Sequence, residues 1–408
     1  MNDFEKICKY IEDNTATAVE LETLLTKIPA LAPESGGDGE SAKCKALEEF
    51  LAAHGITDLE HFDAPDSRVS SGVRPNLVAT LKGRTAKNLW IMSHLDVVPA
   101  GEEKLWNTPP FEVVQKDGKL FGRGVEDDQQ GIVCSVMAAL ALNALKIEPE
   151  YTIKLLFVAD EEVGSKYGIE YLVKNHKLFD KDDLIITPDG GDPKGETIEV
   201  AEKNLLWLKV QTHGKQAHGS TPDEGVNAHL ASCALALKIN ALEKELAERN
   251  PLFSPDRSTF QPTKKEANVP NVNTIPGDDV IYFDCRILPC YTLDDVRKTV
   301  KKCCDEVSAE YGVTFTLSEE QAVESPATPE SCEVVQVLEG AVRRVLQLEP
   351  RIVGIGGGTV AACLRSAGYN AVVWSKHDET MHQPNEYCLI QNLTDESKVL
   401  ASVMLKNA

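Results

Sequence analysis

Apolar residues in this chain gather in short runs separated by longer stretches of helical spacing, and four of the runs end alike. Leu89-Trp90-Ile91-Met92 leads into Ser93-His94-Leu95-Asp96. Ile153 to Ala159 leads into Asp160-Glu161-Glu162, and Leu184 to Thr187 into Pro188-Asp189-Gly190-Gly191. Ala371 to Trp374 leads into a segment closing with Met381-His382-Gln383-Pro384-Asn385-Glu386. Short β-rich runs alternating with helical patterns predict an α/β fold, and such sheets bind ligands outside the carboxyl ends of their strands. All four run ends, each carrying His, Asp or Glu, are therefore expected at one crevice.

A fifth segment, Gly122 to Gly131, holds Glu126-Asp127-Asp128 and precedes a helical run from Ile132 to Leu145. Acidic residues at a helix start are ordinarily caps that complement the helix dipole. The pattern changes after Gly191. A strand from Leu205 to Val210 is followed by a helical stretch, residues 226 to 247, with Leu230, Ala234, Leu237 and Leu242 on one face. A Pro-, Ser- and Asn-rich loop over 250 to 276, a strand from Val280 to Leu288, a helix from Leu293 to Tyr311 and a strand from Val313 to Leu317 follow. These elements form an α+β unit of about 115 residues, an ordinary domain size. Acidic and histidine-bearing run ends lie on both sides of it, so it reads as an insertion. The expected boundaries are 1–202 with 320–408 for the outer domain and 203–319 for the insert.

Composition narrows the function. At 408 residues the chain exceeds what one core usually supports. Its 42 basic and 64 acidic residues leave a formal charge of −22, which disfavours nucleic acid or an anionic membrane surface as partner. No apolar run is long enough to span a bilayer. The N-terminus carries Phe4, Ile7, Cys8 and Ile11 at helical spacing, without a secretory core. Eleven cysteines, two of them adjacent at Cys303-Cys304, show no disulfide framework and no Cys-x-x-Cys spacing. Free thiols in a reducing compartment, hence a cytoplasmic protein, are expected.

The run ends supply His94, Glu162, Asp189 and His382, and the helix start supplies Asp127. Two imidazoles with three carboxylates suit zinc or a similar first-row ion better than calcium or magnesium. Five ligands exceed one tetrahedral site with an open position, but they fit two metals about 3.5–4 Å apart that share a carboxylate. Asp127, the only candidate at a helix start, is the expected bridge. Asp96, two residues beyond His94, is placed to orient that imidazole.

With these residues in view, the chain resembles the di-zinc metallopeptidases that include acetylornithine deacetylase, succinyl-diaminopimelate desuccinylase, aminoacylase and the carnosinase-like dipeptidases. The resemblance rests on SHLDVVPAG, the Trp106 to Phe111 stretch, GRGVEDD, DEEVGS, PDGG, AHGSTPDEGVNA, IGGGT and HQPNE, in family order. It implies a mixed-sheet zinc-peptidase catalytic domain with an inserted ferredoxin-like lid and dimerisation domain. One metal would be held by His94, Asp127 and Asp189, the other by Asp127, Glu162 and His382. Glu161 matches the general base, and Asp96 the carboxylate behind His94. His218, in the insert, matches a histidine that reaches an active site, often the partner subunit's, to stabilise an oxyanion. Asn273 and Arg286 match lid positions that contact substrate. The implied reaction is hydrolysis of an amide in a small N-acyl amino acid, with a dipeptide as the alternative substrate. Two divalent ions, zinc first and cobalt or manganese next, and a homodimer joined through the lid complete the expectation.

Gly354 to Ala361 follows an apolar run and precedes a helix, which also meets a minimal dinucleotide fingerprint and makes a nucleotide-binding oxidoreductase the remote alternative. The same amides, at Gly357, Gly358 and Thr359, suit a substrate carboxylate. Two positions depart from the family pattern. Gln129 stands where a lysine often follows the Asp pair, and Ala362 where an arginine often follows the glycine loop, with Arg365 one turn on.

Overall fold

The computed structural model describes residues 1–406, which pack as two compact units. The first comprises Met1–Val200, Thr328–Val353 and the chain from Thr359 onward; the second comprises Ala201–Ala327 with Gly354–Gly358.

The first unit is built on an eight-stranded sheet. Its order is Leu59–His61, Leu77–Leu81, Thr152–Val158, Asn88–His94, Leu184–Gly191, Ala371–Ser375, Thr197–Glu202, Arg351–Ile355. The four strands that the apolar runs predict are its centre, and they pair in parallel: Asn88–His94 lies between Thr152–Val158 and Leu184–Gly191, which in turn pairs with Ala371–Ser375. Parallel strands are covered on both faces, which is why these segments are continuously apolar rather than alternating. Trp90, Met92, Leu156 and Ile185 face a cluster with Leu172, Phe179, Val360 and Leu364. On the sheet's other face the helix Gln129–Leu145 is buried from Gln129 through Leu142 and packs against the helix Ile390–Met404. Burying each large apolar side chain contributes roughly 1.5–3 kcal/mol. At the N-terminus the helix Asp3–Asp13 buries Phe4, Ile7 and Ile11, as their spacing predicts.

The second unit is a four-stranded antiparallel sheet ordered Thr259–Lys265, Asp278–Ile287, Asn204–His213, Thr314–Val323. With the helices Ala228–Asn240 and Leu293–Tyr311 it has ferredoxin-like βαββαβ connectivity. Leu206, Leu208 and Val210 alternate inward along the central strand and meet Leu235, Ile239, Val296 and Val300.

Three expectations are corrected here. The stretch 226–247 is not one helix but two, Ala228–Asn240 and Leu242–Glu245. Its core face is Ala231, Leu235 and Ile239, while Leu230 and Leu237 are 54% and 75% exposed. The helix is apolar on both sides, so period alone could not tell which face turns inward. The loop expected over 250–276 contains the strand Thr259–Lys265, masked in sequence by Pro262 and the lysines of an exposed edge, where proline costs no ladder bond. The last strand also continues to Val323, past Leu317. All eleven cysteines are free, and among the described residues no helix is long and apolar enough to cross a membrane.

Candidate dinuclear metal site

The carboxyl ends of the parallel strands carry the candidate ligands. His94 is the last residue of its strand, Glu161 and Glu162 open a 3-10 turn just after Val158, and Asp189 lies near the end of its own strand. His382 sits in the loop beyond Ser375 with φ +61°. Asp127 comes from the loop before the helix Gln129–Leu145. Neither it nor Asp128 caps that helix through its side chain, so the acidic pair is not there as a cap.

Asp127 joins the two imidazoles. Its Oδ1 is 2.8 Å from His94 Nε2 and its Oδ2 is 3.0 Å from His382 Nε2. Glu162 Oε2 is also 3.0 Å from His382 Nε2, and Asp189 Oδ1 is 3.9 Å from His94 Nε2. His94, Asp127 and Glu162 offer ligand atoms that all lie within 4.8 Å of one another, as do His94, Asp128 and Asp189. The five residues singled out in the sequence are thus brought together, with Asp127 between the two histidines.

His94 Nδ1 donates to the carbonyl oxygen of Asp96 at 3.0 Å, leaving Nε2 toward the cluster. The two carboxylate oxygens of Asp96 in turn accept the backbone N–H groups of Glu161 and Glu162, both at 3.0 Å. One aspartate therefore fixes both a ligand and the turn carrying the candidate base.

Burial opposes charge on His94, but contacts with Asp127 and Asp96 outweigh it and hold the imidazole well above its ordinary pKa. The contacts to Asp127 and Glu162 raise His382 to about 10. Burial, opposed by His94 but reinforced by Asp96, Glu162 and Asp127, pushes Glu161 up to about 7. Burial also drives Asp189 well above the carboxylate range. This is an anionic cluster short of positive charge. Buried Glu162 Oε1 and Asp128 Oδ1 have no hydrogen-bond partner among the described residues, so a pair of divalent cations fits the donor set.

Sequence reasoning left several supporting residues without a role. Buried Glu386 accepts backbone N–H groups from Gly124 and Glu126 at 3.0 Å and from Asp127 at 3.3 Å, and pairs with Arg123 Nη1 at 2.5 Å. Glu126 accepts Asp378 N–H and the Thr380 hydroxyl, both at 2.7 Å. Asp128 Oδ2 accepts the His94 N–H at 3.1 Å. GRGVEDD and HQPNE held these residues, but nothing in the spacing reveals that the two motifs brace each other. Gln129, at the position of the missing lysine, is buried and accepts the Thr26 hydroxyl at 2.9 Å. Arg365 does not stand in for an arginine at Ala362: it is 2% exposed, 3.7 Å from Glu199.

Within the second unit, the bridge between Ala217–His218 and Thr274–Ile275 sets His218 beside Asn273, whose carbonyl accepts the Gly219 N–H at 2.7 Å. His218 is exposed, and its Nδ1 is 2.7 Å from the Ser220 hydroxyl. Arg286 donates to the Gly356 carbonyl at 2.7 Å and holds Asp284 with two further bonds, at 2.7 and 3.1 Å, which joins it to the loop containing Gly357 and Gly358. Thr359 accepts the Ala361 N–H at 3.2 Å, capping the helix Val360–Ser366.

A mixed sheet with imidazoles and carboxylates at its carboxyl edge defines a metal-dependent hydrolase. Residues 90–406 match the family described as peptidase family M20/M25/M40, and the chain belongs to it. It is 40% identical over 410 residues to an uncharacterized metallohydrolase of Methanocaldococcus jannaschii, covering 95% of this chain and 98% of that one. It is 25% identical over 372 residues to a succinyl-diaminopimelate desuccinylase of Nitratiruptor, covering 90% and 93%. Among solved structures it resembles human carnosine dipeptidase 1, with TM-score 0.69, 18% identity and 99% of both chains covered. A Bacillus subtilis protein described as a dinuclear metal binding peptidase superposes with TM-score 0.66 at 15% identity over 97% and 98% of the chains. The dinucleotide reading falls with this membership. Arg351–Ile355 is also the edge strand of the sheet, whereas a dinucleotide fingerprint follows a strand within the parallel core.

Proposed function

We propose that the protein hydrolyses the amide bond of a small N-acyl amino acid, using two divalent metal ions held by His94, Asp127 and Asp189 and by Asp127, Glu162 and His382. The observation that carries this reading is Asp127 spanning the two imidazoles, with the turn bearing Glu161 and Glu162 held by Asp96, the residue whose carbonyl accepts the His94 Nδ1 proton. Bound metals supply Lewis acidity and an acidified water. Glu161 is the general base: burial keeps its proton affinity near neutrality, so it can take a proton from water and release it to the departing amine. Asp96 orients His94 and fixes the turn bearing Glu161. His218, beside Asn273, donates to the oxyanion. Arg286 and the amides of Gly357, Gly358 and Thr359 receive the substrate carboxylate.

Zinc is the metal we favour, since imidazole and carboxylate suit it, with cobalt and manganese as substitutes. Exposed Leu230 and Leu237 support a homodimer formed through the inserted domain, and eleven free thiols support a cytoplasmic setting. The desuccinylase relative supports an acyl amino acid as substrate; a short dipeptide is the second reading, supported by the fold shared with a dipeptidase.

Metal-stripped protein, assayed with and without zinc, cobalt or manganese on a panel of N-acetyl and N-succinyl amino acids and dipeptides, tests the proposal through released amine. Metal-dependent turnover of an acyl amino acid supports it. Turnover of dipeptides alone moves the assignment to the second reading. Glu161→Ala should abolish turnover while two metals stay bound; retained activity would remove Glu161 as the base.

A further inference from the structure

The turn carrying Glu161 and Glu162 is held from behind by Arg74-Pro75-Asn76, three residues that precede the strand Leu77–Leu81 and touch none of the candidate ligands. The turn opens at Asp160, which is 2% exposed and sits in the left-handed region at φ +69°. A non-glycine residue holds that conformation only when its surroundings impose it. Four contacts do so. The Asp160 carboxylate faces the fully buried guanidinium of Arg74, with Oδ1 3.1 Å from Nη1, and its Oδ2 accepts the Tyr167 N–H at 3.0 Å. Asn76 accepts the Ala159 N–H at 3.2 Å and donates to the Tyr167 carbonyl at 2.9 Å, clamping both ends of the turn.

Arg74 is itself anchored. Its Nε donates to Glu40 Oε2 at 2.7 Å, Asp66 lies 3.6 Å from Nη1, and the guanidinium stacks 5.6 Å over the Tyr167 ring. The buried guanidinium is hydrogen-bonded to Glu40 and ion-paired with Asp66 and Asp160, and a planar fork held on one side this way is a stiff support. Asp96 grips the same turn from the ligand side through the N–H groups of Glu161 and Glu162.

We infer that Arg74, with Asn76, is a positioning residue for the Glu161–Glu162 turn, fixing at once the base and one of the two ligands peculiar to the second metal. The inference rests on the roles proposed above for Glu161 and Glu162. Removing the guanidinium frees Asp160 to leave its left-handed conformation, and both side chains then lose their aim. His94, Asp127 and Asp189 take no support from Arg74, so the first metal should stay.

The test is Arg74→Met in the full chain, with Asp160→Asn as the variant that keeps shape and tolerates the left-handed region should Arg74→Met fail to fold. Zinc binding is read by competition with a chromophoric chelator, and turnover on the best substrate of the panel. The expected result is at least a tenfold weaker second zinc, an unchanged first zinc, and kcat down about 10- to 100-fold with KM within threefold. Arg68→Ala, which removes the outer ion pairs to Asp66 and Glu34 and a stacking contact with the Tyr167 ring but leaves Arg74, Asn76 and the Tyr167 backbone bonds in place, should change neither. Equal weakening of both zincs, or normal kcat and normal second-site affinity in a folded variant, would overturn the inference. Glu161→Ala run alongside separates the two claims: if it is inactive while Arg74→Met is normal, only the positioning role is lost, whereas an active Glu161→Ala removes the base assignment itself.

Discussion

Glu126 and Glu386 brace each other's loops. Glu386, from the segment that carries His382, receives the backbone N–H groups of Gly124, Glu126 and Asp127; Glu126, beside Asp127, receives the backbone and side chain of the segment leading to His382. The Asp127 carboxylate and the His382 imidazole on its Oδ2 are thereby held at one spacing by the protein itself. Bracing of this kind would lower the ordering cost of capturing metal at the candidate site.

That arrangement predicts the behaviour of Glu386→Gln. The change leaves Arg123 buried without its ion partner, and breaking a buried pair this way costs about 3–5 kcal/mol. Chemical denaturation at neutral pH should show a loss of that size in the metal-free protein, with weaker zinc retention as well. A variant as stable as the parent would mean the pair adds nothing to the folded state.

The bridge itself should be indispensable to both ions. Asp127→Asn keeps the volume but replaces one carboxylate oxygen by an amide nitrogen that cannot ligate. Metal analysis after dialysis should find fewer than two ions per chain, and kcat/KM should fall by about 10³ or more, as expected when electrostatic stabilisation of the transition state is lost. Two tightly held ions in this variant would exclude Asp127 as the shared ligand.

How far the sequence revealed this site follows from what each residue answers to. His94, Glu162, Asp189 and His382 were legible because each follows an apolar run, and a run long enough to be a strand fixes where its end must lie. Asp127 was legible by its position at a helix start. Glu126 and Glu386 were not, because their roles depend on loop–loop contacts across some 250 residues of chain, and Asp128 was not, because its bond to the His94 N–H shows only once the strand end and the helix start are brought together. Leu230 and Leu237 misled for a different reason. On a helix apolar around most of its circumference, tertiary packing and not periodicity chooses the buried side. Pro262 and the lysines hid an edge strand because edge strands lack the apolar alternation that marks inner ones.

Metal-free protein should respond to pH with a definite sign. His382 has a folded pKa of about 10 against an ordinary 6.5, raised by Asp127 and Glu162. A raised histidine contributes stability that is fully present below 6.5 and is lost as pH climbs toward 10. Metal binding replaces those protons, so affinity grows with pH instead. Thermal denaturation from pH 6.5 to 10 should therefore show Tm falling in chelator-treated protein and the gap to the zinc-loaded form widening. A Tm that rises across this range without metal would show that the Asp127–His382 contact is not an ion pair in the free protein.

Replacing His218 should separate chemistry from metal binding. It belongs to the inserted unit, and none of the ligand side chains does, so His218→Ala should retain both metals and the parent's Tm. Its exposure, and its pairing through the Ala217–His218 bridge with the strand after Asn273, leave it free to meet a substrate oxygen while its position in the insert stays fixed. Loss of one oxyanion donor slows turnover about a hundredfold to a thousandfold. The effect should fall on kcat with KM little changed, because the donor is engaged only as charge develops on the oxygen. If His218 acts on the partner's site, mixing inactive His218→Ala with inactive Glu161→Ala should restore activity. A heterodimer pairs one damaged chain's base with the other chain's histidine, leaving one intact site in two. Restored activity on mixing would establish the shared site, full activity of His218→Ala alone would remove the residue from the mechanism, and two inactive variants that stay inactive when exchanged would confine His218 to its own subunit.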